Sequence, residues 1–263
     1  TSTNSSIGLI YALKKILNFF LNRYRLIILK LKYQNYKCFF MDLNQKIPKH
    51  YNEEYFVWQK IIGEFGGEAN KFKFENDIKP DFTILDFGCG GGYLLSRFEC
   101  KEKVGIEPNS IARDQAIKNG ISKVYPNAKE CLKDFKQKID LVISNHALEH
   151  TTSPLDEIKT LKELMKDGGK IHFVVPCEHI TYSYNPKKDK NYHLYSWSPM
   201  NLGNLFNEAG FEVIYAKPLI HKWPPFYKKI SKLGPFVFHL ICRIYGRLAR
   251  NWFQVEILAV KKK

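Results

Sequence analysis

The sequence predicts a doubly wound α/β fold on a mostly parallel seven-stranded sheet, with an N-terminal helical extension and a helical insertion before the last strand. Three observations carry that reading. From Asp81 onward, short β-branched or apolar runs alternate with helix-length segments, as in a parallel sheet covered on both faces. The first run, Ile84-Leu85-Asp86-Phe87, enters Gly88-Cys89-Gly90-Gly91-Gly92, a turn whose glycines permit tight geometry and close approach of a ligand to the main chain. An acidic residue, Glu107, ends the second run 21 positions beyond Asp86.

Taken in order, residues 7–31 read as an amphipathic helix: Leu9, Leu13, Ile16, Leu17, Phe20, Tyr24, Ile27, Ile28 and Leu31 recur at three- and four-residue steps. A second helix is expected over 50–65, stopped by Gly66–Gly67, with a linker at 76–80. Strands are expected at 83–87, 103–107, 123–125, 140–144, 170–175, 211–215 and 254–260. Helical segments are expected near 92–99, 109–119, 128–136 and 154–166. The last has Ser153 placed to cap it, Pro154 suited to its first turn and Asp156 at capping-box spacing. Leu155, Ile158, Leu161, Leu164 and Met165 form its buried stripe, and Gly168 its stop.

The apolar share of 44% is ample for a sizeable core. The net charge of +15 is localised. Residues 1–41 hold seven basic side chains and no acid, residues 217–250 hold eight and no acid, and the remainder balances at 26 of each sign. A neutral body with two cationic segments argues against a uniformly basic nucleic-acid binder. The six cysteines show no metal-ligand spacing, and Cys89 sits within the glycine loop, which points to a reduced, cytoplasmic setting and to no metal. The N-terminal apolar stretch is broken by Lys14, Lys15, Asn18, Asn22, Arg23 and Arg25. It falls short of the roughly 20 apolar residues of a membrane span and does not read as a secretory signal.

The glycine turn has two chemical readings. A dinucleotide fingerprint needs Gly or Ala three places after its second glycine, where Tyr93 stands, so the diphosphate-cradling spacing fails. Asp86, ahead of the glycines, suits a cationic ligand better than an anionic diphosphate. Glu107, at the end of its strand, can accept both ribose hydroxyls of an adenosine ligand.

Residues 83–176 resemble the donor-binding half of the class I methyltransferases that use S-adenosylmethionine (SAM), whose fold is Rossmann-like. Asp86-Phe87-Gly88-Cys89-Gly90-Gly91-Gly92 matches the family's first motif, and Glu107-Pro108 its acidic second. Ile139 to His150 resembles the fourth strand and its loop, and Leu164-Met165-Lys166-Asp167-Gly168-Gly169-Lys170 the turn into the fifth. The resemblance implies SAM as donor and S-adenosylhomocysteine as product. Gly88, Cys89, Gly90 and Gly92 would line the methionine portion and Glu107 would grip the ribose. Asn127 and Ala128 would lie by the adenine, although many relatives have an acid after the third strand where this chain has Tyr125-Pro126-Asn127-Ala128. Asn145 and His146 would face the sulfur. Glu149 and His150 match a recurring Leu-Glu-His triplet, read equally as packing or as catalytic residues. The corresponding division is a basic extension at 1–41 and a methyltransferase domain at 42–263. Within that domain lie a donor core at 81–176, an acceptor cap at 177–200 and a basic aromatic insertion at 217–250.

Methyl transfer is a displacement in which alignment dominates and a general base helps where a proton must leave. His193, His146 and His179 are the candidate bases; His193 ranks first because relatives often carry a His at the start of the cap. Pro176-Cys177 does not occupy the position of a cytosine-methyltransferase nucleophile, and no adenine-N6 tetrad follows the fourth strand. The expected activity is methylation of an O or N atom of a small or carrier-linked metabolite, such as a nucleotide-linked or surface-polysaccharide precursor. RNA methylation and a SAM-binding module without transfer are the alternatives. Three roles compete for the insertion: a helical lid on residues 7–31, a peripheral membrane patch, and a site for a phosphate-bearing acceptor. A homodimer stays open.

Overall fold

A computed structural model describes residues 53–178, 183–185, 189, 191–249 and 252–262. The expected helix at 7–31 and the candidate His179 lie outside the described residues. Residues 49–263 pack as one unit.

Seven strands form one sheet: β1 (Thr83–Phe87), β2 (Glu102–Ile106), β3 (Lys123–Tyr125), β4 (Ile139–Asn145), β5 (Met165–Glu178), β6 (Phe211–Leu219) and β7 (Trp252–Lys261). Their order is β3-β2-β1-β4-β5-β7-β6, and β7 runs antiparallel to both its neighbours. The chain moves outward from β1 to β3 and returns to place β4 beside β1. That reversal opens a crevice at the carboxyl ends of β1 and β4, where open α/β sheets hold ligands.

Helices α1 (Glu53–Asn70), α2 (Ser110–Lys118), α3 (Ala128–Phe135), α4 (Pro154–Leu164), α5 (Pro199–Glu208), α6 (Tyr227–Ile230) and α7 (Pro235–Leu248) surround the sheet. Because side chains alternate along a strand, β1 feeds two cores. Leu85 and Phe87 join Phe135, Ile158, Leu161 and Phe206 from α3, α4 and α5. Ile84 joins Ile143, Leu95, Phe98 and Ala116 on the other face. All five β1 residues are buried, so Asp86 is a charge inside a central strand, on the face it shares with Ile84.

Four local expectations are corrected. The segment 92–99 is not a helix: only a 3₁₀ turn, Leu95–Arg97, stands there, because residues 88–101 must contain both the glycine turn and the whole crossover between parallel strands. The helix expected to stop at Gly66–Gly67 runs through them to Asn70. Ser153 precedes α4 without a side-chain cap bond, and Pro154 occupies the first turn. The helix ends at Leu164, and Met165 already belongs to β5, pairing with Ile139.

The insertion before the last strand is helical, as expected, and contains α6 and α7. Its described contacts include α1, where Phe65 meets the rings of Trp223, Tyr227 and Phe238 at 5.0, 4.9 and 5.8 Å. Phe238 and Cys242 of α7 form a small core with Ala69.

Candidate active site

The glycine turn is held open by its surroundings. Gly88, Gly90 and Gly92 adopt φ of 76°, 53° and 74°, a region costly for side chains other than glycine. Space closes the remaining option at two of them. A Cβ on Gly88 would lie 2.2 Å from the Ala147 Cβ, and one on Gly92 2.7 Å from Ile121 Cγ1. The N–H groups of Gly88 and Cys89 donate to the Ile106 carbonyl, Gly90 N–H donates to Glu107 Oε2 at 3.0 Å, and Asn119 Nδ2 donates to the Gly91 carbonyl at 2.7 Å.

A cavity opens over this turn. Asp86, the Gly88–Gly91 backbone and Asn145 form one side, and α1 and Trp223 form the other. The glycines of α1 explain the close approach. A Cβ on Gly63 would lie 2.4 Å from the Tyr93 ring and one on Gly67 2.3 Å from the Tyr93 carbonyl oxygen. Gly63 and Gly67 therefore form a packing groove for Tyr93, the residue that breaks the dinucleotide pattern.

Asp86 is 2% exposed, and burial followed by the charge of Glu107 pushes its carboxyl up to about 7. No cation among the described residues opposes that rise. A buried carboxylate bordering a cavity without a counter-ion fits a ligand that brings its own positive charge. Glu107 is also raised by burial, against the N–H groups of Asn109 and Gly90 that hold it. A carboxylate has about four lone-pair sites, so two remain for further donors. Pro108 is exposed, and its carbonyl accepts from Arg113. Cys89 is buried, and burial pushes its thiol well above the ordinary range, which marks it as a packing residue against Gly105.

Asn127 and Ala128 are not in the cavity wall. The Asn127 side chain accepts from Glu130 N–H as the N-cap of α3, and Ala128 is buried in the core. The cap bond engages the Asn127 side-chain oxygen and not its amide nitrogen.

Asn145 and His146 end β4, and His146 is turned into the left-handed region at φ 59° while its N–H still bonds the Val174 carbonyl. Strain of this kind clusters at functional sites. Behind them lies a buried polar network that was not foreseen as a unit. Lys73 Nζ donates to Asn145 Oδ1 at 2.8 Å and to Gln254 Oε1 at 2.5 Å. Gln254 Nε2 donates to the His221 carbonyl, which fixes the amide so that Oε1 faces Lys73 and His146 Nε2, 3.1 Å away. His146 Nε2 must then carry a hydrogen. Its Nδ1 lies 3.3 Å from Glu149 Oε1.

Glu149 is fully buried. Burial pushes its carboxyl up, but His146 and His150 outweigh that and hold it below the ordinary value. His193 Nε2 and His150 Nε2 lie 3.9 and 4.0 Å from the same oxygen, and Glu149, His150 and His193 offer ligand-type atoms within 4.8 Å of one another. His193 Nδ1 meets Glu178 Oε1 at 2.9 Å. The structure thus gathers His146 and His193 around one carboxylate. No sequence signal marked Lys73 or Gln254; the Leu148-Glu149-His150 triplet was the visible trace of the rest.

The match to a methyltransferase domain extends over residues 49–216, more than half of the chain. The chain belongs to the class I SAM-dependent methyltransferases. Its similarity to a ubiquinone biosynthesis O-methyltransferase of Serratia proteamaculans is 30% over 102 residues, 35% of this chain and 42% of that protein. The chain therefore spans under half the length of that relative. Among solved structures of this class, a SAM-dependent methyltransferase from Archaeoglobus fulgidus matches with a TM-score of 0.56 and 20% identity, covering 79% of this chain and 99% of that one. A Haemonchus contortus phosphoethanolamine N-methyltransferase in complex with SAM matches with a TM-score of 0.51 and 16% identity, covering 76% and 57%. At these identities the solved structures bear on the fold.

Proposed function

We propose that this methyltransferase transfers the methyl group of SAM to a hydroxyl oxygen of a small-molecule acceptor. The observation that carries the reading is Asp86: a buried carboxylate with no counter-ion among the described residues, beside a backbone turn in which only glycine fits at two positions. Asp86 and the Gly88–Gly91 main chain would hold the charged amino-acid end of the donor, and Glu107 would hold the ribose while keeping its own loop bonds. When bound, SAM supplies a methyl group on a positively charged sulfur.

Oxygen is favoured as acceptor atom because the relative matched over 102 residues is named an O-methyltransferase. Neither the described residues nor the relatives supply a feature that singles out a nucleotide-linked or polysaccharide precursor. His193 is assigned as the base. Its Nδ1–H donates a hydrogen bond to Glu178, which orients the ring and leaves Nε2 to receive the hydroxyl proton, beside the Glu149 carboxylate that stabilises the resulting cation. His146 has both nitrogens engaged and acts as a positioning group for Asn145 and Glu149. The five described cysteines are all free, in keeping with a reducing, cytoplasmic setting.

Calorimetric titration with SAM and S-adenosylhomocysteine tests the donor site. Wild-type protein should bind both, and Asp86→Ala and Glu107→Ala should each weaken binding severely. Wild-type affinity in both variants would refute the assignment. Donor binding without turnover on any hydroxylated acceptor pool would favour a binding module.

A further inference from the structure

The insertion leaves both cationic and apolar side chains exposed to solvent. Helix α7 has two unlike faces. Phe238, Cys242 and Gly246 point inward, Phe238 against Phe65 of α1 and Gly246 so close to Ile220 that a Cβ would lie 3.2 Å from its Cγ2. The opposite face carries Phe236, Leu240, Ile244 and Leu248, which are 81%, 46%, 49% and 79% exposed, and Leu233 just before the helix is 63% exposed. A helix docked on a soluble domain normally turns polar residues outward. This stripe instead continues apolar for the full length of the helix.

Charge selects what the stripe meets. Lys228 and Lys229 lie exposed in α6 and Lys232 in the 3₁₀ turn that follows it, and none forms an ion pair among the described residues. Arg243 is exposed beside the stripe, and residues 217–250 contain no Asp or Glu. A second copy packed face to face across a two-fold axis would set these cations against their own counterparts. A nucleic acid would answer the lysines and leave the apolar stripe in water. A bilayer rich in anionic lipid answers both, with the apolar side chains in the acyl boundary and the lysines at the head groups.

We propose that α7 and the turn before it form a peripheral docking surface for an anionic membrane, with the helix axis lying in the plane of the interface. The helix is too short to span a bilayer, and none of the described helices is long and apolar enough to do so. Trp223, which lines the cavity, packs its ring 5.0 Å from Tyr227, the first residue of α6, on the inner side of the insertion with Phe65. The proposal goes beyond methyl transfer and does not depend on it.

The test is co-sedimentation of the full chain with two kinds of vesicle, phosphatidylcholine alone and phosphatidylcholine mixed with phosphatidylglycerol. Wild-type protein should pellet with the mixed vesicles, stay in solution with the neutral ones, and be released by high salt. The variant Phe236→Ser/Leu240→Ser/Ile244→Ser should lose about tenfold or more in partitioning while keeping its melting temperature and its affinity for S-adenosylhomocysteine. If that variant folds poorly, Lys228→Glu/Lys229→Glu/Lys232→Glu, altered only at exposed positions, should show a comparable loss. Four results would each overturn the proposal. They are no binding to either vesicle, equal binding to both, a folded face variant that binds as wild type does, and a wild-type dimer that the serine variant converts to monomer.

Discussion

Replacing Lys73 by Met should change how stability responds to pH. Lys73 is 8% exposed, and burial brings its ammonium down from an ordinary 10.5 to about 7, only partly opposed by Glu256 and Glu149. Between those values the unfolded chain binds a proton that the folded chain does not hold fully. Stability from this site therefore rises with pH through that window, and the cost of burying the ammonium is greatest below pH 7. With one pKa unit equal to about 1.4 kcal/mol, the cost is about 4 kcal/mol at pH 7 and about 2 kcal/mol at pH 9. Met fills a similar volume without a charge. It leaves Asn145 Oδ1 without the Lys73 donor and leaves Gln254 Oε1 with His146, at a cost of about 1 kcal/mol per lost bond. Urea unfolding of both proteins from pH 7 to pH 9 should show wild type gaining about 2 kcal/mol relative to Lys73→Met. A difference that stays constant over that range would refute the reasoning, because it would mean that Lys73 is no less basic when folded than when unfolded.

His193→Ala should lower the rate of methyl transfer by about 10²–10⁴-fold and leave donor affinity nearly intact, as measured by turnover beside calorimetry; unchanged turnover would remove His193 as the base. Gly92→Ala should destabilise the domain by about 2–4 kcal/mol, from the left-handed backbone cost together with the contact against Ile121 and Ala116. Denaturant midpoints check this, and a loss under about 0.5 kcal/mol would show that the turn relaxes easily.

The strands were legible because a buried parallel sheet requires apolar runs of a set length between turn residues, a local property of the chain. All seven expected strands are present, and the largest change is in β5, which extends on both sides of Lys170–Val175 to Met165–Glu178. Local signals misled where a glycine or a serine had two uses. Gly66 and Gly67 look like a helix stop on their own, yet both lie within α1, and only the Tyr93 carbonyl, far along the chain, shows why Gly67 is needed there. Ser153 had capping chemistry and spacing and makes no cap bond, whereas Ser198, before α5, forms a full capping box with Asn201. Asn127 caps α3 through its side-chain oxygen.

By itself the sequence determined the sheet, its likeness to the donor-binding half of a methyltransferase, and the loop in which backbone must face a ligand. Each of these is encoded in residues close together in the chain, through periodicity and through glycine's backbone freedom. Only the tertiary structure decided that Lys73, Asn145, His146 and Gln254 share one network and that three histidines converge on Glu149. It also decided that the cationic insertion turns an apolar face outward. Those facts depend on burial and on distances between residues up to 181 positions apart, which no local pattern records.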